Sequence, residues 1–109
     1  MKNSIFEINK LLLNSQNTEL QYFIASARAD KADLITLVYG RGMDEDTKIK
    51  LEKNILKMLK QIKVSGRLDF FASKENFDSS STEAKYILNK FPEYENVVSE
   101  TDLMFCIML

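Results

Sequence analysis

Residues 40 to 47 read GRGMDEDT, two glycines followed by three acids within four residues and a closing threonine. Two kinds of chemistry suit that pattern. Clustered carboxylates such as Asp44, Glu45 and Asp46 could give a calcium ion the oxygen ligands it takes. Alternatively, Gly40 or Gly42 ends one helix in the left-handed conformation, and the acids cap and charge the first turn of the next, where negative charge meets the positive end of the helix dipole. The second account uses the whole stretch, so we read it as punctuation between helices and assign no metal ligand.

Other reactive groups are few. Histidine is absent, which removes the commonest general base and the commonest metal ligand together. Cys106 is the one cysteine, so no internal disulfide can form, and its place inside the apolar run LMFCIML reads as a buried, inert thiol. Asp44 and Asp46 could in principle do acid-base work, but the sequence gives them no fixed partner. We therefore expect no catalytic residue, no cofactor and no enzymatic activity.

A second charged pattern lies on one helix. Behind Thr47, an apolar stripe of Leu51, Ile55, Met58, Leu59 and Ile62 faces inward, and Lys50, Lys53, Lys57, Lys60 and Lys63 fall on the opposite side. Such a row suits phosphates of nucleic acid or anionic lipid. It holds no arginine and no interleaved aromatic, so an ordinary solvated face is the simpler reading, and Lys50, Lys53, Lys57 and Lys60 stand as the alternative site.

The elements that would position these groups read as helices. A chain of 109 residues is expected to form one domain, 1–109. No run approaches the ~20 apolar residues of a membrane span, and the first residues lack a signal-peptide core, so a cytoplasmic location is expected. The net charge of −1 is uneven: Met1 to Asp46 carries five bases and seven acids, Thr47 to Leu68 seven bases and one acid, and Asp69 to Leu109 three bases and eight acids. Ser4 with Glu7, Thr18 with Gln21, Ser80 with Glu83 and Ser99 with Asp102 have capping-box spacing and mark expected helix starts. Ile5, Ile8 and Leu12, then Leu20, Phe23, Ile24 and Ala27, then Ala84, Ile87, Leu88 and Phe91 follow at helical spacing. A single helix from Thr18 to Tyr39 would put Lys31 in its apolar seam, so a break near Ala29 and Asp30 is expected, with a second short helix behind it. Pro92 must end the helix holding Phe91 and opens another that buries Tyr94, Val97 and Val98. The final LMFCIML is expected to close the stack as a helix, a strand being the other option.

On this pattern, FIASARADKADLITLVYGRGMD (residues 23 to 44) resembles one ankyrin repeat, with helices at Phe23 to Ala29 and Asp33 to Gly40 and a turn at Gly42 and Asp44. A shift of 34 residues lays Leu34 on Leu68, Met43 on Phe77 and Asp44 on Asp78. The family's Thr-Pro-Leu-His opening is replaced by Gln21, Tyr22, Phe23 and Ile24. GRGMDEDT also looks like the annexin calcium loop, with Met43 in place of its threonine and Glu83 near the distance of that family's downstream acid.

The fold class expected is therefore all-α, a small ankyrin-like stack of short antiparallel helices. In such a stack the turns align, and here they carry Asp44, Glu45, Asp46, Glu75, Asp78, Glu93, Tyr94 and Glu95, the expected partner-binding residues. Acidic rows steer basic partners. The function expected is a non-enzymatic protein-binding module, such as an inhibitor or immunity protein covering a basic toxin or nuclease. The bacteriocin immunity proteins are loosely similar in size and in the segment ELQYFIASARADKAD. Direct nucleic-acid binding is the less favoured reading.

Overall fold

A strand of six residues opens the chain where a helix was expected. The computed structural model describes residues 1–8 and 16–109. In chain order the elements are β1 (Asn3–Ile8), α1 (Gln16–Ala29), β2 (Leu34–Tyr39), α2 (Glu45–Val64), β3 (Phe70–Ser73), α3 (Lys74–Asp78), α4 (Thr82–Lys90), a 3₁₀ turn (Pro92–Tyr94), α5 (Glu95–Glu100) and β4 (Met104–Met108). The strands form one sheet in the order β1-β2-β4-β3, with β1 parallel to β2 and β4 antiparallel to both of its neighbours. The fold is thus mixed α/β, and the all-α helical stack is corrected.

The physical reason lies in β2 and β4. LITLVY and MFCIM are short apolar runs, buried along almost their whole length. Helical spacing can be drawn through them, but β-branched Ile35, Thr36 and Val38 favour a pleated backbone, and a strand covered on both faces needs no polar alternation. The helix expected over Asp33 to Gly40 is β2, and the C-terminal run is β4. Ser4 and Glu7 lie within β1, and Leu12 of the expected first helix lies outside the described residues.

The two sheet faces build two cores. Ile35, Leu37, Tyr39, Phe105 and Ile107 pack with α1 (Leu20, Ile24, Ala27) and α2 (Leu51, Ile55, Leu59, Ile62). Leu34, Ala72, Met104, Cys106 and Met108 pack on the other face with Phe77, Ala84, Ile87, Tyr94 and Val98 from the later helices. Burial of each large aliphatic side chain contributes roughly 1.5–3 kcal/mol. The result is a sheet between two helical layers.

Helix ends are set by backbone geometry as much as by side-chain caps. Lys31 takes a φ of 58°, and the Lys31 N–H to Arg28 O and Ala32 N–H to Ala27 O bonds (3.0 and 2.9 Å) close α1 in a Schellman turn. The chain does break after Ala29, and Lys31 points to solvent instead of entering the core. The same paired bonds end α2 at Gly66 and α3 at Ser80. Because Ser80 is spent on that turn (φ 53°), Ser81 caps α4 by accepting from the Ala84 N–H. Thr18 falls inside α1, and Ser99 and Asp102 fall at the end of α5, so neither pair starts a helix. A true capping box forms at Ser73 and Asn76.

Candidate functional site

The stretch GRGMDEDT leads from β2 into α2. Gly40 has a φ of +95°, which calls for glycine, and a Cβ there would stand 2.8 Å from Leu103 Cδ1 and push that methyl aside. Asp44 is the N-cap of α2: its carboxylate accepts from the Thr47 N–H at 2.7 Å, and hydrogen bonds from the Thr47 hydroxyl and then from that N–H hold its pKa below the usual carboxylate range. Glu45 and Asp46 stand exposed in the first helical turn.

Register decides what meets this turn. Val38 pairs with Met104, and the Tyr39 N–H donates to Leu103 O at 3.3 Å, so the segment before β4 lies beside the segment after β2. Gly40, Arg41, Gly42, Lys48, Glu100 and Asp102 consequently line one shallow depression of about 560 Å³ at the carboxyl end of β2. Glu100 and Asp102 share this depression with Arg41 and Lys48, while Asp44, Glu45 and Asp46 follow Gly42 into the first turn of α2, outside its lining. Among the described residues none of the five lies within ion-pair distance of a base, since the ion pairs found there are Met1 with Glu93 and Lys74 with Asp78.

The remaining expected contact residues do not join them. Glu75 is exposed on α3 and lines a separate groove between α2 and β3. Asp78 sits 3.8 Å from Lys74 on the same short helix. Glu93 lies 3.7 Å from the amino group of Met1. Met1 precedes β1, which runs parallel to β2, so Glu93 and its neighbour Glu95 stand at the opposite end of the sheet from Asp44. Tyr94 is fully buried, its hydroxyl 2.6 Å from Thr36 Oγ1. The aligned row of turns belongs to a helical stack, whereas successive connections of a βα sandwich alternate between two ends of the sheet.

Lys50, Lys53, Lys57 and Lys60 are all exposed along the solvent side of the 20-residue α2, with no carboxylate within 4.0 Å among the described residues. Lys63, farther round, lies over the Phe70 ring at 4.5 Å. Cys106 is fully buried, and burial pushes its thiol up to about 12, with a hydrogen bond to Tyr94 acting the other way. That places it far from a reactive thiolate. The described residues contain no cluster of three or more Asp, Glu or Cys side chains placed to hold a metal, and no helix long and apolar enough to cross a membrane.

Compared with models of protein families, with curated proteins and with solved structures, the chain matches none. The geometry of its own residues is therefore what a functional reading rests on. Glu100 and Asp102 are the two members of the acidic end that sequence reasoning missed. Asp102 had been read only as part of a cap, and its position beside Gly40 follows from the antiparallel pairing of β4 with β2, which no local pattern encodes.

Proposed function

We propose that the chain is a non-enzymatic protein-binding module, of the inhibitor or immunity type, that covers a basic partner with the acidic end of its sheet. One observation carries this reading: Glu100 and Asp102 line the depression at the carboxyl end of β2, from which the chain leads directly to Asp44, Glu45 and Asp46, more than fifty residues away from them in sequence, and none of the five has an ion-pair partner among the described residues. A solvated helix face acquires like charges from local periodicity alone. Acids gathered from two distant segments outnumber Arg41 and Lys48 beside them, and the excess negative charge attracts a basic surface and speeds its association.

The lysine side of α2 supports a second reading, contact with nucleic acid or anionic lipid, on the observation that among the described residues no carboxylate lies within 4.0 Å of its four exposed ammonium groups. It remains the weaker of the two, because nothing aromatic or guanidinium accompanies them.

Affinity capture from lysate of the native host separates the two. The acid variant is Glu45→Lys, Asp46→Lys, Glu100→Lys and Asp102→Lys, which spares the cap at Asp44. The basic variant reverses Lys50, Lys53, Lys57 and Lys60 to glutamate. With folding checked by circular dichroism, the first reading expects one stoichiometric basic protein, retained by wild type and the basic variant and lost by the acid variant. Equal retention by all three overturns it. Nucleic acid or lipid lost only by the basic variant carries the second reading.

A further inference from the structure

Among the described residues no strand pairs with the outer side of β1 or of β3, and the two outer strands differ in character. β1 carries Glu7, whereas β3, Phe70–Ser73, has no charged residue along its length. No described strand pairs with the outer side of β3. Unpaired N–H and C=O groups on an uncharged edge are a template for another strand unless something covers them.

That edge borders a groove of about 800 Å³, with Phe71 and Ser73 on its floor and α2 as its long wall. The wall is a stripe of Glu52, Leu56, Lys60 and Lys63 at spacings of three and four, none of them buried. One pair in the stripe changes sign about Leu56, with Glu52 four residues before it and Lys60 four residues after, and Lys63 extends the basic end. The groove repeats that polarity across β3. Glu75 stands beyond the Ser73 end, and Lys63 lies against Phe70 at the other. Charge that changes sign on reversal of direction is what a two-fold contact requires, because each residue then meets its opposite on the second copy. Nothing requires it of a groove built for an unrelated partner.

We propose that this surface joins two copies of the chain. Antiparallel pairing of β3 with β3 makes one continuous sheet from the two four-stranded ones. The same axis brings the two α2 helices together antiparallel, with Leu56 meeting Leu56 and Glu52 of each copy beside Lys60 of the other. Val64, 90% exposed in the single chain, is covered at the ends of this contact.

Sedimentation velocity over a dilution series tests the assembly. Wild type is expected to be a dimer that dissociates on dilution. Lys60→Glu sets carboxylate against carboxylate twice and should weaken the dimer by about tenfold or more, while the double variant Glu52→Lys, Lys60→Glu restores it. Glu52 also receives the Tyr39 hydroxyl, so a readout that keeps it intact is needed as well. Leu56→Cys should cross-link to a covalent dimer under mild oxidation, and Ala25→Cys, exposed on α1, should not; the native Cys106 is buried. A monomer across the whole series, a dimer untouched by Lys60→Glu, or a Leu56→Cys protein that cross-links no faster than Ala25→Cys overturns the proposal.

Discussion

Tyr94 Oη lies 2.6 Å from Thr36 Oγ1, inside the core between the sheet and the later helices. Thr36 Oγ1 also bonds Asn3 Oδ1 at 2.9 Å, and the Tyr94 hydroxyl reaches Cys106. Thr36, the only buried polar or charged residue in the described core, is thus satisfied from β1 on one side and from the 3₁₀ turn on the other. A hydrogen-bonded chain of this kind ties three distant segments to one position of the central strand.

Tyr94→Phe should therefore destabilise the fold by about 1–3 kcal/mol although the ring still fills its site, because Thr36 and Cys106 each lose a buried partner. Urea unfolding followed by circular dichroism measures this. Thr36→Val in the Tyr94→Phe background should cost less than the sum of the two single changes, since the second substitution removes a group already left short of a partner. Full additivity would show that the bond contributes nothing as a pair.

Cys106 sets the alkaline limit of stability. Its pKa is raised in the folded state, to about 12 from an ordinary 9.0, chiefly through burial. A raised folded-state pKa means that the stabilising contribution is fully present below 9.0 and is lost as pH climbs from there toward 12, because the unfolded chain releases its proton first. Tyr39 and Tyr94 are shifted in the same direction by burial and add to the effect at still higher pH. Stability should then fall above pH ~9 with a slope near 1.4 kcal/mol per unit for the thiol alone, and Cys106→Ala should flatten that slope. Thiol labelling of the wild type should follow global unfolding and not precede it.

How much of this was legible in the sequence depends on how local each feature is. α2 could be read directly, since Leu51, Ile55, Leu59 and Ile62 lie in one stretch and are all buried as the spacing requires. The break at Pro92 was legible for the same reason. The sheet was not. β2 and β4 carry no alternation because both their faces are covered, and Leu34, Leu37 and Val38 imitate a helical stripe until the pairing with Met104 to Met108 is known. The candidate site divides in the same way. Asp44 to Asp46 were expected to start a helix, and they cap and charge α2, but no helix ends at Gly40 or Gly42, because the element before them is β2. Their convergence with Glu100 and Asp102, and the separation of Glu93 and Glu95 from them, are properties of strand order.

Gly40 and Gly42 offer a controlled comparison within the turn that carries the acidic end. Both have positive φ, +95° and +75°, which an L-residue adopts at a cost. A Cβ at Gly42 meets nothing within 4 Å, whereas at Gly40 it would stand 2.8 Å from Leu103 Cδ1. Gly42→Ala should thus lose only the backbone term, about 1 kcal/mol. Gly40→Ala adds a steric term that falls on Leu103, whose carbonyl receives the Tyr39 N–H and so aligns β2 with the segment before β4. Its total should exceed that of Gly42→Ala by about 1 kcal/mol or more. Urea midpoints of the two variants measure the difference. Amide exchange at Tyr39 should rise in Gly40→Ala and stay near wild type in Gly42→Ala. Equal midpoints and equal Tyr39 protection would mean that Leu103 moves aside freely, and that the two halves of the acidic end are not held in register by this contact.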